Sequence, residues 1–151
     1  MNSYDKTVNH YGNQQIEGAS PEQLLLLLYD GAIRFLNEAL RALPEEDLET
    51  VNSKLIKAQN IVAELMSSLD MKVGGELAEN LFRLYEYLHH RLIQANLKKD
   101  AEMIEEVLGH LKDLRETWRQ AIAIAKKEEP TEIQKLDTSD DDSSCQRQYS
   151  V

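Results

Sequence analysis

The chain has 151 residues, a formal net charge of -10 and a sequence pI near 4.8. That length suits one domain able to bury a core without disulfide or metal staples. The acidic balance repels phosphate backbones and anionic lipid surfaces, which excludes nucleic acid as a partner class. With 6 Gly and 3 Pro among abundant Leu, Ala, Glu and Lys, the composition points to an all-α fold. The single Cys145 excludes an intrachain disulfide. The unbroken apolar run Leu24 to Leu28 is far too short for membrane insertion. The polar opening Met1 to Lys6 lacks the pattern of a cleaved signal, so a cytoplasmic (cytosolic) location is expected.

Residues 1–19 are rich in Asn, Gln, Gly and Tyr without a sustained period and read as a mobile N-terminal arm. Ser20-Pro21-Glu22-Gln23 then supplies an N-cap serine, a proline in the first turn and a glutamine placed to close a capping box. The first helix is expected to run to about Leu43, because Pro44 disfavours helical geometry in the residue before it. Glu45, Glu46 and Asp47 are expected in the first turn of the second helix, whose inward stripe is Val51, Leu55, Ala58, Val62, Leu65 and Leu69. The third helix follows Gly74-Gly75, from about Glu76 to Leu97, with Leu77, Leu81, Leu84, Leu88, Leu92 and Ala95 facing inward. Asp100 is placed to cap the fourth helix. Its apolar positions Ile104, Val107, Leu108, Leu111, Leu114, Trp118 and Ile122 carry it to about Lys127, before Pro130.

Short connections require neighbouring helices to run antiparallel, giving an up-down-up-down four-helix bundle over residues 20–128. Residues 129–151 form an acidic tail. From Glu128 onward seven acidic residues face only Lys135 and Arg147, a composition expected to be disordered.

The first helix carries more apolar surface than a bundle core uses. Leu24, Leu25, Leu28, Ala32, Phe35, Leu36, Ala39 and Leu43 share one face, while Leu26, Ile33 and Leu40 form a second stripe with Tyr29 between the two. Together they sweep roughly 200°, against the 100° or so that a core-facing stripe needs. In the third helix Phe82, Tyr85 and Ile93 flank the inward row. The surplus has three readings: ordinary flank packing against neighbouring helices, a groove for a partner helix, or cover by the arm through Tyr4, Tyr11 and Ile16. Gly31 marks a close helix contact.

Little in the chain supports catalysis. Glu86-Tyr87-Leu88-His89 has the Glu-x-x-His spacing of di-iron carboxylate bundles, yet no second copy exists and Glu86 points away from the inward row. The adjacent His89 and His90 cannot form the i, i+4 metal pair of a zinc protease. No cofactor and no metal site are expected, and a non-enzymatic binding protein leads over a di-metal carboxylate oxidoreductase or a self-associating structural bundle.

The residues assembled above resemble the flagellin-specific export chaperones of bacteria, the FliS-type family. The resemblance rests on Ser20-Pro21-Glu22-Gln23-Leu24 and Leu28-Tyr29-Asp30-Gly31-Ala32, then on Asn52 with Lys57-Ala58-Gln59-Asn60-Ile61. It continues through Gly74-Gly75-Glu76, Leu84-Tyr85-Glu86-Tyr87, Arg91-Leu92, Gln94-Ala95-Asn96, Asp100 and Ile104-Glu105-Glu106-Val107. Tyr11 and Ile16 look like the family's arm residues, whereas the acidic tail beyond Pro130 departs from its pattern. The resemblance implies an antiparallel four-helix bundle that binds the disordered C-terminal segment of flagellin. It also implies that premature polymerisation is prevented and the cargo delivered to the flagellar type III export apparatus. The expected partner-binding residues are then Tyr11, Ile16, Leu26, Tyr29, Ile33, Leu40, Phe82, Tyr85 and Ile93, with a homodimer as a further possible assembly.

Overall fold

A computed structural model describes the backbone of residues 18–141 and the side chains of residues 18–127. Among the described residues are four helices and no strand: α1 Pro21–Ala42, α2 Leu48–Ser67, α3 Met71–Lys98 and α4 Ala101–Asp141. The chain divides after Arg115 into two units, the first holding α1, α2, α3 and the start of α4, the second the remainder of α4.

Each helix starts where a side chain can accept the orphan N–H groups of a first turn. Ser20 Oγ accepts from the Gln23 N–H at 3.2 Å while the Ser20 N–H donates to Gln23 Oε1 at 3.0 Å, closing the expected capping box. Asp47 accepts from the Thr50 N–H at 3.2 Å and is the N-cap of α2. Glu45 and Glu46 therefore lie in the preceding turn rather than in the helix, Glu46 at φ 58. The Asp47 cap outcompetes the weaker dipole preference that had placed them inside. Asp100 Oδ1 accepts from the Glu102 and Met103 N–H groups and starts α4.

The third helix begins earlier than the Gly74-Gly75 pair suggests. Asp70 caps one turn through the Lys72 and Val73 N–H groups, and the helix breaks at Gly75, with φ 56 and ψ -131. An L side chain is essentially barred from that conformation, so glycine is required there. The long uninterrupted stretch resumes at Glu76, the expected start. α3 ends on Lys99 in the left-handed region at φ 51.

The core of the first unit is aliphatic with two tyrosines and one phenylalanine. α1 contributes Leu28, Tyr29, Gly31, Ala32, Phe35, Leu36 and Ala39. α2 adds Val51, Leu55, Ala58, Ile61, Val62 and Leu65, α3 adds Ala78, Tyr85, Leu88, Leu92 and Ala95, and Ile104, Val107, Leu108 and Leu111 come from α4. Among the expected inward residues Leu77 is exposed, at 64%, with Ala78 buried in its place, while Leu69, Leu81, Leu84 and Leu114 are half-buried. Leu77 lies about 100° around the helix from Ala78 and so falls off the continuous row of Ala78, Leu81, Tyr85, Leu88, Leu92 and Ala95.

Polar contacts fix the helix directions. Lys54 near the start of α2 pairs with Glu38 near the end of α1, Asn52 with Asn96 near the end of α3, and Arg91 of α3 with Glu106 near the start of α4. Arg115 of α4 pairs with Asp30 of α1. Ends meet starts at each consecutive pair, so neighbours run antiparallel, as the short connections require.

In the second unit α4 carries half-buried Trp118 and Ile122, and Glu116 accepts from Arg119 and Gln120 one turn on. Its backbone continues through Pro130 to Asp141, past the end expected near Lys127. A proline removes one helical hydrogen bond at a cost of about 3 kcal/mol, which flanking helix formers can offset. Residues 1–17 and 142–151 lie outside the described residues.

Replacing Gly75 by Ala is expected to lower stability by about 1–3 kcal/mol, since the positive φ persists only for glycine without strain. A urea melt followed by circular dichroism reads this as a lower midpoint at an unchanged slope.

Candidate functional site

The structure sorts the expected partner-binding residues into three groups. Tyr11 and Ile16 lie outside the described residues. Tyr29 and Tyr85 are fully buried, their hydroxyl groups hydrogen-bonded to each other across the core. The polar tip of each ring is thus satisfied internally. Leu26, Ile33, Leu40 and Phe82 are half-buried, and Ile93 is exposed.

Geometry also accounts for much of the wide apolar arc of α1. Asp30 lies about 60° around the helix from Ile33, on the side away from the core. It is ion-paired to Arg115 of α4, with Nε to Oδ1 at 2.6 Å. The stripe of Ile33 and Leu40 thus falls between the core and a contact with α4. A helix flanked by two neighbours needs an apolar flank toward each, which leaves these side chains partly covered.

The more open apolar surface lies between α2 and α3. Asn52, Ile56 and Gln59 of α2 recur at helical spacing on one face. Opposite them stand Ile93, Asn96 and Leu97 of α3 with Lys99 at its end, and together they line an open cleft of about 370 Å³. Leu97 is 81% exposed, Ile56 42% and Ile93 36%, an aliphatic trio presented to solvent. Asn96 Nδ2 donates to Asn52 Oδ1 at 2.8 Å across the end of the cleft. Lys99 Nζ donates to the carbonyl and the side-chain oxygen of Asn96, each at 2.7 Å, so the left-handed C-cap residue locks that amide in place. No carboxylate is among these lining residues, in a chain of net charge -10. A second concavity, of about 340 Å³, borders Ala19, Gln23, Leu26 and Leu27 at the start of α1.

Sequence periodicity found Ile93 but missed Ile56 and Leu97. The signal was present: Ile56 and Leu97 are the large aliphatics that lie off the inward rows of their helices, and Asn52 and Asn96 both stood among the family signatures.

The opposite flank of α3 is tied to α4. Arg91 Nε and Nη2 donate to Glu106 Oε1 at 3.0 and 2.8 Å, and the Tyr87 hydroxyl donates to Glu106 Oε2. The Tyr87 hydrogen bond and then Arg91 hold the Glu106 carboxyl below its usual range, and the same Glu106 contact raises the Tyr87 phenol. His89 is shifted down, first by burial and then by His90, which keeps its imidazole neutral near neutral pH. Among the described residues no group of three or more His, Cys, Asp or Glu is placed to hold a metal ion, and no helix is long and apolar enough to cross a membrane.

An open, aliphatic and amide-lined cleft on a helical bundle has the chemistry of a surface on which an amphipathic segment can lie, and lacks the enclosure of a catalytic pocket. The sequence matches the profile of a family described as "Flagellar protein FliS" over residues 4–125. It is 39% identical over 118 residues to the flagellar secretion chaperone FliS of Bacillus subtilis (strain 168), covering 78% of this chain and 87% of that one. With the protein of the same name from Salmonella typhimurium it shares 44% identity over 106 residues, 70% of this chain and 78% of the relative. The Campylobacter jejuni protein of that name is 36% identical over 112 residues, 74% and 88% of the two chains. The chain belongs to the FliS family, whose members are chaperones and not enzymes.

Two expectations follow. Tyr29→Phe takes from Tyr85 a buried hydrogen-bond partner and should cost about 1–3 kcal/mol. The Tyr29→Phe/Tyr85→Phe double variant should lose at least about 0.5 kcal/mol less than the sum of the singles in chemical denaturation. Glu38, Asp47 and Glu106 all have folded-state pKa values lowered. Their contribution is therefore present above the unfolded carboxylate range and lost as pH falls through the folded values. The melting temperature should decline on acidification below the ordinary glutamate value of 4.5, and Glu106→Gln should flatten that decline.

Proposed function

We propose that this chain is a cytosolic flagellar export chaperone that binds the disordered C-terminal segment of flagellin, prevents its premature polymerisation and delivers it to the flagellar type III export apparatus. The observation that carries this reading is the carboxylate-free cleft of Ile56, Ile93 and Leu97 on a member of the FliS family. The named activity of the relatives, flagellar secretion chaperone, supports it. An amphipathic helix formed by the segment lies along α2 and α3, its apolar residues on the aliphatic trio and its backbone ends on the Asn52–Asn96 rim. Half-buried Leu26, Ile33, Leu40 and Phe82 extend the apolar contact at the flanks, and Tyr11 and Ile16 of the N-terminal arm belong to the same binding function.

The magnitudes suit a broad surface. Covering roughly 50 Å² on each large aliphatic side chain contributes on the order of 1 kcal/mol, at about 25 cal/mol per Å². Ordering a disordered segment costs about 2–5 kcal/mol, so several such contacts must act together.

Isothermal titration with a flagellin C-terminal peptide should show binding with a negative heat-capacity change. Ile93→Glu with Leu97→Glu should weaken it more than about tenfold, the equivalent of 1.4 kcal/mol. Absence of binding at micromolar peptide would sink the reading. Sedimentation of the same double variant tests the alternative occupant: loss of a dimer at unchanged peptide affinity would assign the cleft to self-association.

A further inference from the structure

A second surface, on the α1–α2 face, has a different chemistry. The Phe35 ring is buried, and three cations surround it: the Arg34 guanidinium carbon lies 4.7 Å from the ring centroid, and the Lys54 and Lys57 ammonium groups lie 5.5 Å from it. One carboxylate faces them. Glu38 Oε1 is 3.0 Å from Lys54 Nζ, and its Oε2 is 3.3 Å from Arg34 Nη1. Burial opposes the charge on Glu38, yet Lys54 and Arg34 outweigh it and keep the carboxyl ionised below its usual range. Exposed Arg41 lies on the same side of α1, seven residues beyond Arg34. Of the other acidic residues near in sequence, Asp30, one turn before Arg34 on α1, is ion-paired to Arg115, and Glu45, Glu46, Asp47 and Glu49 sit beyond Arg41 in the turn and at the start of α2.

A knot of positive charge is unexpected on a chain of net charge -10. Three cations cluster around one aromatic ring, and the Glu38 carboxylate, ion-paired to two of them, carries a single charge. Their heads are held partly in place by the ring and by Glu38, which lowers the ordering cost of engaging a further anion. A long polyanion such as nucleic acid would meet the repulsion of the whole molecule, whereas a short acidic segment touches the patch alone.

We propose that Arg34, Lys54 and Lys57, arranged around Phe35, form a docking surface for a carboxylate-rich peptide segment of a partner protein. This surface is separate from the α2–α3 cleft, whose lining residues include none of the three. It does not depend on what occupies that cleft.

The test is fluorescence anisotropy with a short labelled peptide of alternating Glu and Gly, beside its Gln counterpart. Saturable binding of the Glu peptide alone is expected at low salt, with its loss at 1 M salt, where the Debye length falls to about 3 Å. Lys57→Glu should weaken binding more than about fivefold. Lys112→Glu, an exposed α4 site carrying the same change in net charge, should alter it less than about twofold. Equal effects of the two variants would reduce the attraction to the protein's overall field and overturn the proposal, as would absence of saturable binding. A flagellin peptide should keep its affinity for the Lys57→Glu variant while losing it with Leu97→Glu. Equal loss of both ligands in Lys57→Glu would overturn the separateness of the surface. Failure of the acidic peptide alone leaves the flagellin reading standing.

Discussion

The buried contact between the Tyr29 and Tyr85 hydroxyl groups sets the register of the bundle. Each tyrosine lies about thirteen residues before the end of its helix, roughly 20 Å at 1.5 Å per residue, so the contact holds α1 and α3 level. Two phenols inside an aliphatic core are tolerable only in reach of a polar partner, because an unmatched buried hydroxyl costs about 1–3 kcal/mol. Sliding α1 by one turn would break the pair and misalign Asp30 with Arg115 in the same movement. Aliphatic packing alone, which is nearly indifferent to such slips, supplies no equivalent constraint.

With α1 held level with α3, the helices between them take defined places. Glu38 reaches Lys54 on α2 from one side of α1, and Asp30 reaches Arg115 on α4 from the other. A helix contacted on both flanks and across the core has an apolar arc wider than the usual stripe. Sequence alone could not separate that cause from a partner groove, since both predict half-covered leucines and isoleucines beside the core face. The ion pairs across the flanks account for part of that arc, and the more open apolar surface is the α2–α3 cleft, where Leu97 and Ile56 stand in solvent.

What was legible in the sequence was mostly local. Ser20, Asp100 and the Gly75 break announced helix starts because caps and positive φ act within a few residues. Periodicity placed Leu88, Leu92, Leu55 and Ile104 inside correctly. It failed at Leu77, one position off the row that starts at Ala78, and it did not disclose the full burial of Tyr29 and Tyr85, where each hydroxyl depends on a partner 56 positions away in sequence. Asp47 was read as a first-turn acid rather than a cap for a similar reason: only the geometry of the turn decides which of three consecutive acids accepts the Thr50 N–H.

Charge is segregated in the folded chain in a way that composition hides. Carboxylates dominate the total, yet the Ile56–Ile93–Leu97 cleft has amides at its rim and a lysine at its end. An amide pair there serves where a charge pair would not. Asn52 and Asn96 satisfy each other before a ligand arrives and still present lone pairs and N–H groups to an incoming backbone. An ion pair in that position would have to be desolvated when a ligand covers it, at a cost that its own attraction does not always repay. Lys99, drawn back onto Asn96 by the left-handed turn, leaves its ammonium at the edge rather than in the apolar floor. On the proposed reading a ligand in the cleft is held by hydrophobic contact and a neutral rim, which tolerates variation in its sequence, while a ligand of the cation cluster around Phe35 is selected by charge. Surfaces so different in their dependence on salt would be engaged or released independently of each other.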